Sequence, residues 1–139
     1  MAAQAGALVG IVIVSHSAMI ATGVVELAGQ MAGSEVRIIA AGGAVDGSLG
    51  TDAARIAQAI EAADTGAGVV VVADLGSAVI ATKLALEIVS PELAARTKLS
   101  GGPLVEGAVV AAVQASAGDH LAAVLEAAEE AAHLPKDVA

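Results

Sequence analysis

Residues Leu8 to Ala18 read LVGIVIVSHSA. A fully apolar run rich in β-branched residues ends abruptly in Ser15-His16-Ser17. A run of this length between polar flanks reads as a strand buried on both faces, the habit of parallel strands in α/β domains. His16 then sits just past the carboxyl end of a strand. In open α/β sheets that edge faces a crevice, and the first turn of the next helix offers unpaired N–H groups there.

Outward from this stretch, Ile20, Val24, Leu27 and Met31 recur at helical spacing, and Gly33 supplies a stop. The stretch Val36 to Ala41 reads as a second strand, followed by the glycine-rich loop Gly42 to Thr51. Thr51 or Asp52 can cap a helix with Ile56 and Ile60 on its apolar face, running to about Ala63. Gly66 to Gly68 ends that unit. A third strand, Val69 to Ala73, leads into Asp74-Leu75-Gly76-Ser77 and a helix with Ile80, Leu84 and Ile88 on one face, stopping before Pro91. Arg96 to Ser100 is the weakest strand, short and charged. Gly101-Gly102-Pro103 precedes a helix carrying Val105, Val109 and Val113. Asp119 is the expected N-cap of a last helix, His120 to His133, whose inner face carries Leu121, Val124, Leu125 and Ala128.

The alternation predicts one α/β domain over 8–133: a three-layer αβα arrangement around a mainly parallel sheet of four or five strands with right-handed crossovers. Residues 1–7 and 134–139 read as loose ends. Ser-His-Ser, the glycine loop, Asp-Leu-Gly-Ser and Gly-Gly-Pro all follow strands, so all four are expected at one sheet edge.

Composition narrows the function. The 139 residues are 57% hydrophobic, without one Phe, Tyr or Trp, so small aliphatic side chains must fill the core. Ser15-His16, Asp74 and Glu106 interrupt every long apolar stretch, which argues against a bilayer span. The net charge of -9, without a basic cluster or aromatic platforms, argues against nucleic acid. The absence of cysteine removes thiol catalysis and disulfides and fits a cytoplasmic location. No histidine has metal-ligand spacing to another ligand, so neither a metal site nor a cofactor is expected.

A histidine at a strand end beside a helix N-terminus suits a phosphoryl carrier. Neutral imidazole is a good nucleophile, and helix N–H groups favour the added negative charge. One ring nitrogen attacks only if the other gives its proton to an acceptor. Asp74, ending an apolar strand where a carboxylate is costly unless paired, is the candidate acceptor. Ser77 and Thr51, with the main chain at Gly76 and Gly50, could bind phosphoryl oxygens. Bland readings stand beside these: Ser15-His16-Ser17 as a turn and cap, Asp74 as a cap of its following helix, the glycine loop as a connector. The loop matches neither GxGxxG nor a Walker A sequence. His120 and His133 read as surface residues, and Glu126, Glu129 and Glu130 as a solvated face.

The segments VIVSHSAMIATGVVELAGQM, GTDAARIAQAI, VVVADLGSAVIATKLALE and GGPLVEGAVVAAV, in this order, resemble the DhaM family. These are the phosphotransferase subunits of bacterial phosphoenolpyruvate-dependent dihydroxyacetone kinases, within the mannose-type enzyme IIA fold group. The resemblance covers about residues 8 to 117. It implies that His16 receives a phosphoryl group from the phosphocarrier HPr and passes it to ADP on the nucleotide-binding kinase subunit, for dihydroxyacetone held on a third subunit. It implies that Asp74 orients His16, and that the protein is a homodimer. Some members carry HPr-like and enzyme I-like domains on the same chain. This sequence ends after the first domain, so separate partners are expected.

The runner-up is a mannose-type sugar-transport IIA subunit delivering to a IIB domain. Leu75-Gly76-Ser77-Ala78, where that family tends to hold paired glycines before Ser-Pro, and PLVEGAV over Pro103 to Val109 favour the kinase subunit. A regulatory phosphorylation module and a small Rossmann-type nucleotide-binding domain are further alternatives, the last disfavoured by the missing fingerprint.

Overall fold

Four strands pair in parallel in the order β2-β1-β3-β4: β1 (Gly10–Ser15), β2 (Ile38–Gly42), β3 (Val69–Ala73) and β4 (Thr97–Ser100). The helices between and after them are α1 (Ala18–Ala32), α2 (Ala53–Ala63), α3 (Gly76–Ile88), α4 (Pro91–Ala95), α5 (Leu104–Ser116) and α6 (Leu121–Glu130), closed by a 3-10 turn Ala131–His133. The structure is a computed structural model that describes residues 7–138. Of the loose start expected over 1–7 only Ala7 lies inside the described residues, and Ala139 lies outside them. Residues 134–138 have no regular structure, but Lys136 Nζ reaches Glu106 Oε2 at 2.9 Å.

The two central strands explain the apolar runs. Ile11, Ile13, Val70 and Val72 face one layer, with α1, α5 and α6, while Val12, Val14, Val69 and Val71 face the other, with α2 and α3. All eight are inaccessible to solvent, and each stabilises the fold by about 2 kcal/mol relative to exposure. Period-two alternation disappears from such strands because both faces are buried. Gly10 opens β1 at the point where α2 ends against it. A Cβ there would lie 2.1 Å from the Ala63 carbonyl oxygen, so no larger residue fits.

The helices differ from the expected orientation. On α1 Val24 is buried, but Ile20, Leu27 and Met31 are exposed. The same holds for Ile80, Leu84 and Ile88 on α3, and for Val105 and Val113 on α5. Alanines are buried instead: Ala21 and Ala28 on α1, Ala78, Ala81 and Ala85 on α3, Ala108, Ala111, Ala112 and Ala115 on α5. The strands already supply bulky side chains on both faces, so helices that come close must present small ones. An alanine stripe and a leucine or isoleucine stripe share the same period, and periodicity cannot choose between them. Only α2, with Ile56 and Ile60 buried, and α6, with Val124 buried and Leu121 and Leu125 half-buried, present the expected residues inward.

Other departures are local. Asp52, not Thr51, caps α2, its Oδ1 accepting from the Ala54 N–H at 3.2 Å. Asp119 does not cap α6. His120 occupies that position without a side-chain bond, while Asp119 Oδ2 accepts from Gln114 Nε2. Helix α4 was not expected, although Ser90 accepting from the Leu93 N–H at 3.2 Å and Pro91 at the first helical position are standard start signals. Arg96 therefore closes α4 rather than opening β4.

Arg96 also joins β4 to the end of α2. Its Nη2 lies 2.7 Å from Asp64 Oδ2 and its Nε 3.2 Å from Oδ1. The Arg96 hydrogen bond outweighs burial and, with the Gly66 N–H, holds the Asp64 carboxyl below its ordinary value of 3.8. A depressed folded-state value contributes stability above the ordinary value and loses it as pH falls through the depressed one. With the arginine side chain 38% exposed, solvent screening leaves about 1 kcal/mol. Asp64→Asn is therefore expected to lower stability by about 1 kcal/mol at pH 7 and by nothing resolvable near pH 2, read by urea unfolding followed in the far ultraviolet. An equal deficit at both values would show that charge is not the cause.

Candidate functional site

The site forms where the two central strands end. The parallel register places Val14 opposite Ala73, so the next residues, Ser15 and Asp74, lie side by side. Ser15 Oγ lies 2.8 Å from Asp74 Oδ2, and the His16 N–H donates to the same oxygen at 3.0 Å. The other oxygen, Oδ1, accepts from the Leu75 N–H at 2.6 Å and faces His16 Nδ1 at 2.8 Å. Burial pushes the Asp74 carboxyl up, but the bonds from Ser15, the His16 main chain, the His16 ring and the Leu75 main chain outweigh it, and its pKa lies below 3.8. Across the neutral range the group is a carboxylate.

An ionised carboxylate only accepts, so Nδ1 carries a proton, and in the neutral ring Nε2 holds the lone pair. Nε2 is in short contact with Ser77 Oγ, whose hydroxyl then donates to it. Ser77 is the second residue of α3, and the first-turn N–H groups of Gly76 and Ser77 have no intrahelical partner. The positive end of α3 therefore lies beside the nucleophilic nitrogen. The side chain of His16 is 24% exposed and that of Asp74 17%, so the pair is sheltered yet reachable.

The glycine loop supports the histidine through the main chain. The Gly50 N–H donates to the His16 carbonyl at 2.9 Å, and the Gly43 N–H to the Ser15 carbonyl at 3.1 Å. The Gly50 N–H is thus committed to holding His16 in place. Thr51 follows on the same loop, half-buried, with no hydrogen bond to the cluster among the described residues. Gly101-Gly102-Pro103 is anchored elsewhere. The Gly101 N–H bonds to Glu129 Oε2 at 3.2 Å, and a Cβ on Gly102 would meet the Ala128 carbonyl oxygen, so this loop packs on α6. His16, Asp74 and Ser77 come together, whereas the fourth loop makes no bond to them among the described residues. His120 and His133 are exposed on or beside α6.

Two of the three bland readings are decided by the caps. Asp74 does not cap α3, because Leu75 holds the cap position without a side-chain bond. Ser17 does cap α1, accepting from the Ile20 N–H at 3.2 Å, and the turn and the cluster share the same three residues. Sequence reasoning missed Ser15, which is completely buried. Its signal was positional: in a parallel sheet, the last residue of one central strand faces the end of the other.

A family model described as EIIA-man, PTS system fructose IIA component, matches residues 10–125. The chain is 42% identical over 114 residues to the PEP-dependent dihydroxyacetone kinase, phosphoryl donor subunit DhaM, of Escherichia coli, covering 80% of this chain and 24% of that protein. It is 40% identical over 119 residues to the PEP-dependent dihydroxyacetone kinase 2, phosphoryl donor subunit DhaM, of Listeria innocua, covering 86% of this chain and 95% of that protein. It thus spans about a quarter of the first relative and nearly all of the second. Among solved structures, the unknown function protein EF1359 superposes with a TM-score of 0.80 at 39% identity, covering 88% of this chain and 94% of that one.

Proposed function

Since the chain belongs to the EIIA-man family of phosphotransferase-system IIA components, we propose that it is the phosphoryl donor subunit of a phosphoenolpyruvate-dependent dihydroxyacetone kinase. The observation that carries the reading is the opposed pair of bonds on one ring, Nδ1 to Asp74 and Nε2 at the N-terminus of α3. Similarity to the Escherichia coli and Listeria innocua subunits supports the choice of kinase over transporter.

In this reading the lone pair of His16 Nε2 attacks the phosphorus of phosphorylated HPr. The new N–P bond forms as the old one breaks, and the bonding pair returns to the HPr imidazole. The Nδ1 proton stays in place throughout, steadied by Asp74, so no proton has to move. Ser77 gives up Nε2 and turns its hydroxyl to a phosphoryl oxygen, joined by the Gly76 and Ser77 N–H groups, with Thr51 as a further ligand. Delivery is the reverse displacement: a terminal oxygen of ADP on the nucleotide-binding subunit attacks, and the pair returns to Nε2. Leu75 and Leu49, exposed beside Asp74 and Gly50, support direct contact with protein partners. The homodimer belongs to the same proposal, and the exposed Ile80, Leu84 and Ile88 of α3 offer an apolar surface for a second copy.

Intact-mass measurement tests this. After incubation with phosphoenolpyruvate, enzyme I and HPr, the chain is expected to gain one acid-labile phosphoryl group, and a chase with ADP-loaded kinase subunits and dihydroxyacetone should remove it. Label that survives this chase but leaves with a IIB domain would replace the kinase by the transporter reading. No label would end both. The same sample under native conditions is expected at twice the 13.3 kDa of one chain.

A further inference from the structure

We infer that Ser15 is a positioning residue for phosphoryl transfer, its hydroxyl fixing the Asp74 carboxylate and thereby the protonated Nδ1 and open Nε2 of His16. The inference rests on the function proposed above and adds to it a residue that touches neither the phosphoryl group nor the ring.

The Ser15 hydroxyl rotor has one direction left open to it. Ser15 Oγ is 3.1 Å from the Ser17 N, whose N–H donates to it. With an oxygen lone pair committed in that direction, the hydroxyl hydrogen is left to point at Asp74 Oδ2, 2.8 Å away. A chain of donors therefore runs from the N-cap of α1 through Ser15 to Asp74. The carboxylate then receives four: Ser15 Oγ and the His16 N–H on Oδ2, the Leu75 N–H and His16 Nδ1 on Oδ1. A carboxylate offers about four lone-pair sites. All are filled, so the group does not rotate toward another partner, and the four donors favour its charged form over a protonated one. It orients the ring and does not act as a base toward it.

Placement makes Ser15 the rigid part of this set. It ends a central strand, and its carbonyl accepts from the Gly43 N–H at 3.1 Å. It is fully buried, so bulk solvent does not replace a deleted hydroxyl. Removing the oxygen leaves Oδ2 with one donor and frees the carboxylate to twist. His16 then samples the Nε2–H tautomer, whose lone pair lies on Nδ1 and not on Nε2, where attack is required.

The test pairs a rate with a signature that packing alone does not move. In Ser15→Ala, transfer from phosphorylated HPr is expected to fall about tenfold or more, the usual scale for a partner that orients a functional ligand. Ring 15N resonances of His16 should show one Nδ1–H tautomer in the wild type and a mixture in Ser15→Ala. Ser15→Thr keeps the hydroxyl and should restore both, with far-ultraviolet circular dichroism checking that each variant folds. An unchanged tautomer, an unchanged rate, or a threonine variant that behaves like alanine overturns the inference. If the wild type itself takes no phosphoryl group, the function proposal fails, while the tautomer comparison still decides the role of Ser15.

Discussion

His16→Ala is expected to take up no phosphoryl group from phosphorylated HPr, under conditions in which the wild type is fully labelled. The loss should be complete rather than partial, because the nucleophile itself is gone and no neighbour can replace it. Ser77, the nearest hydroxyl, lacks an adjacent base once the ring is removed. The other two histidines lie on or beside α6 and are exposed, and neither has a carboxylate hydrogen bond like that of Asp74 to His16 among the described residues. Folding should survive. The His16 side chain is partly exposed, and its deletion removes one ring bond from a carboxylate that keeps three other donors, a cost of about 1 kcal/mol. Intact-mass spectrometry of the folded variant reads the outcome. A label of wild-type stoichiometry would place the carrier site at His120 or His133 and remove the sheet edge from the mechanism.

Asp74→Asn is expected to keep the fold and slow transfer by about 10²- to 10⁴-fold. The substitution preserves shape and removes charge. An amide has one acceptor oxygen where the carboxylate has two, yet four donors converge on the position. Whichever way it turns, its NH₂ faces some of those donors. If that group faces Nδ1, the ring must present a lone pair there and carry its proton on Nε2, where attack is required. Rapid-quench labelling with phosphorylated HPr measures the rate. A rate within twofold of wild type would show that the Nδ1 bond is incidental to transfer.

Much of the fold was legible from Leu8 to Ala18. A buried run ending in polar residues implied a parallel strand, and three further runs implied a sheet whose carboxyl edge gathers the loops. His16, Asp74 and Ser77 could be chosen because each follows or opens an element at that edge. What could not be read is what depends on neighbours. Ile20, Leu27 and Met31 look like a core stripe until the strands are known to fill both interlayer spaces, which sends the alanines inward. The fourth loop follows a strand as the others do, but α6 holds it through the bond from the Gly101 N–H to Glu129. Ser15 was visible and unassigned, since its partner is 59 residues away in sequence and only the register joins them.

The alanine lining of the helices sets where such a chain is free to change over evolutionary time. Ala28, Ala85 and Ala112 are wholly inaccessible to solvent, so a larger side chain at any of them must find room inside a packed core. Leu27 and Val113 stand on the outward sides of α1 and α5, where substitutions cost little. The interior is therefore nearly frozen in volume while the exterior can drift in shape and charge. A lineage built this way can acquire new partners by rewriting its outer surface, one residue at a time, while the strand ends that hold His16 stay as they are.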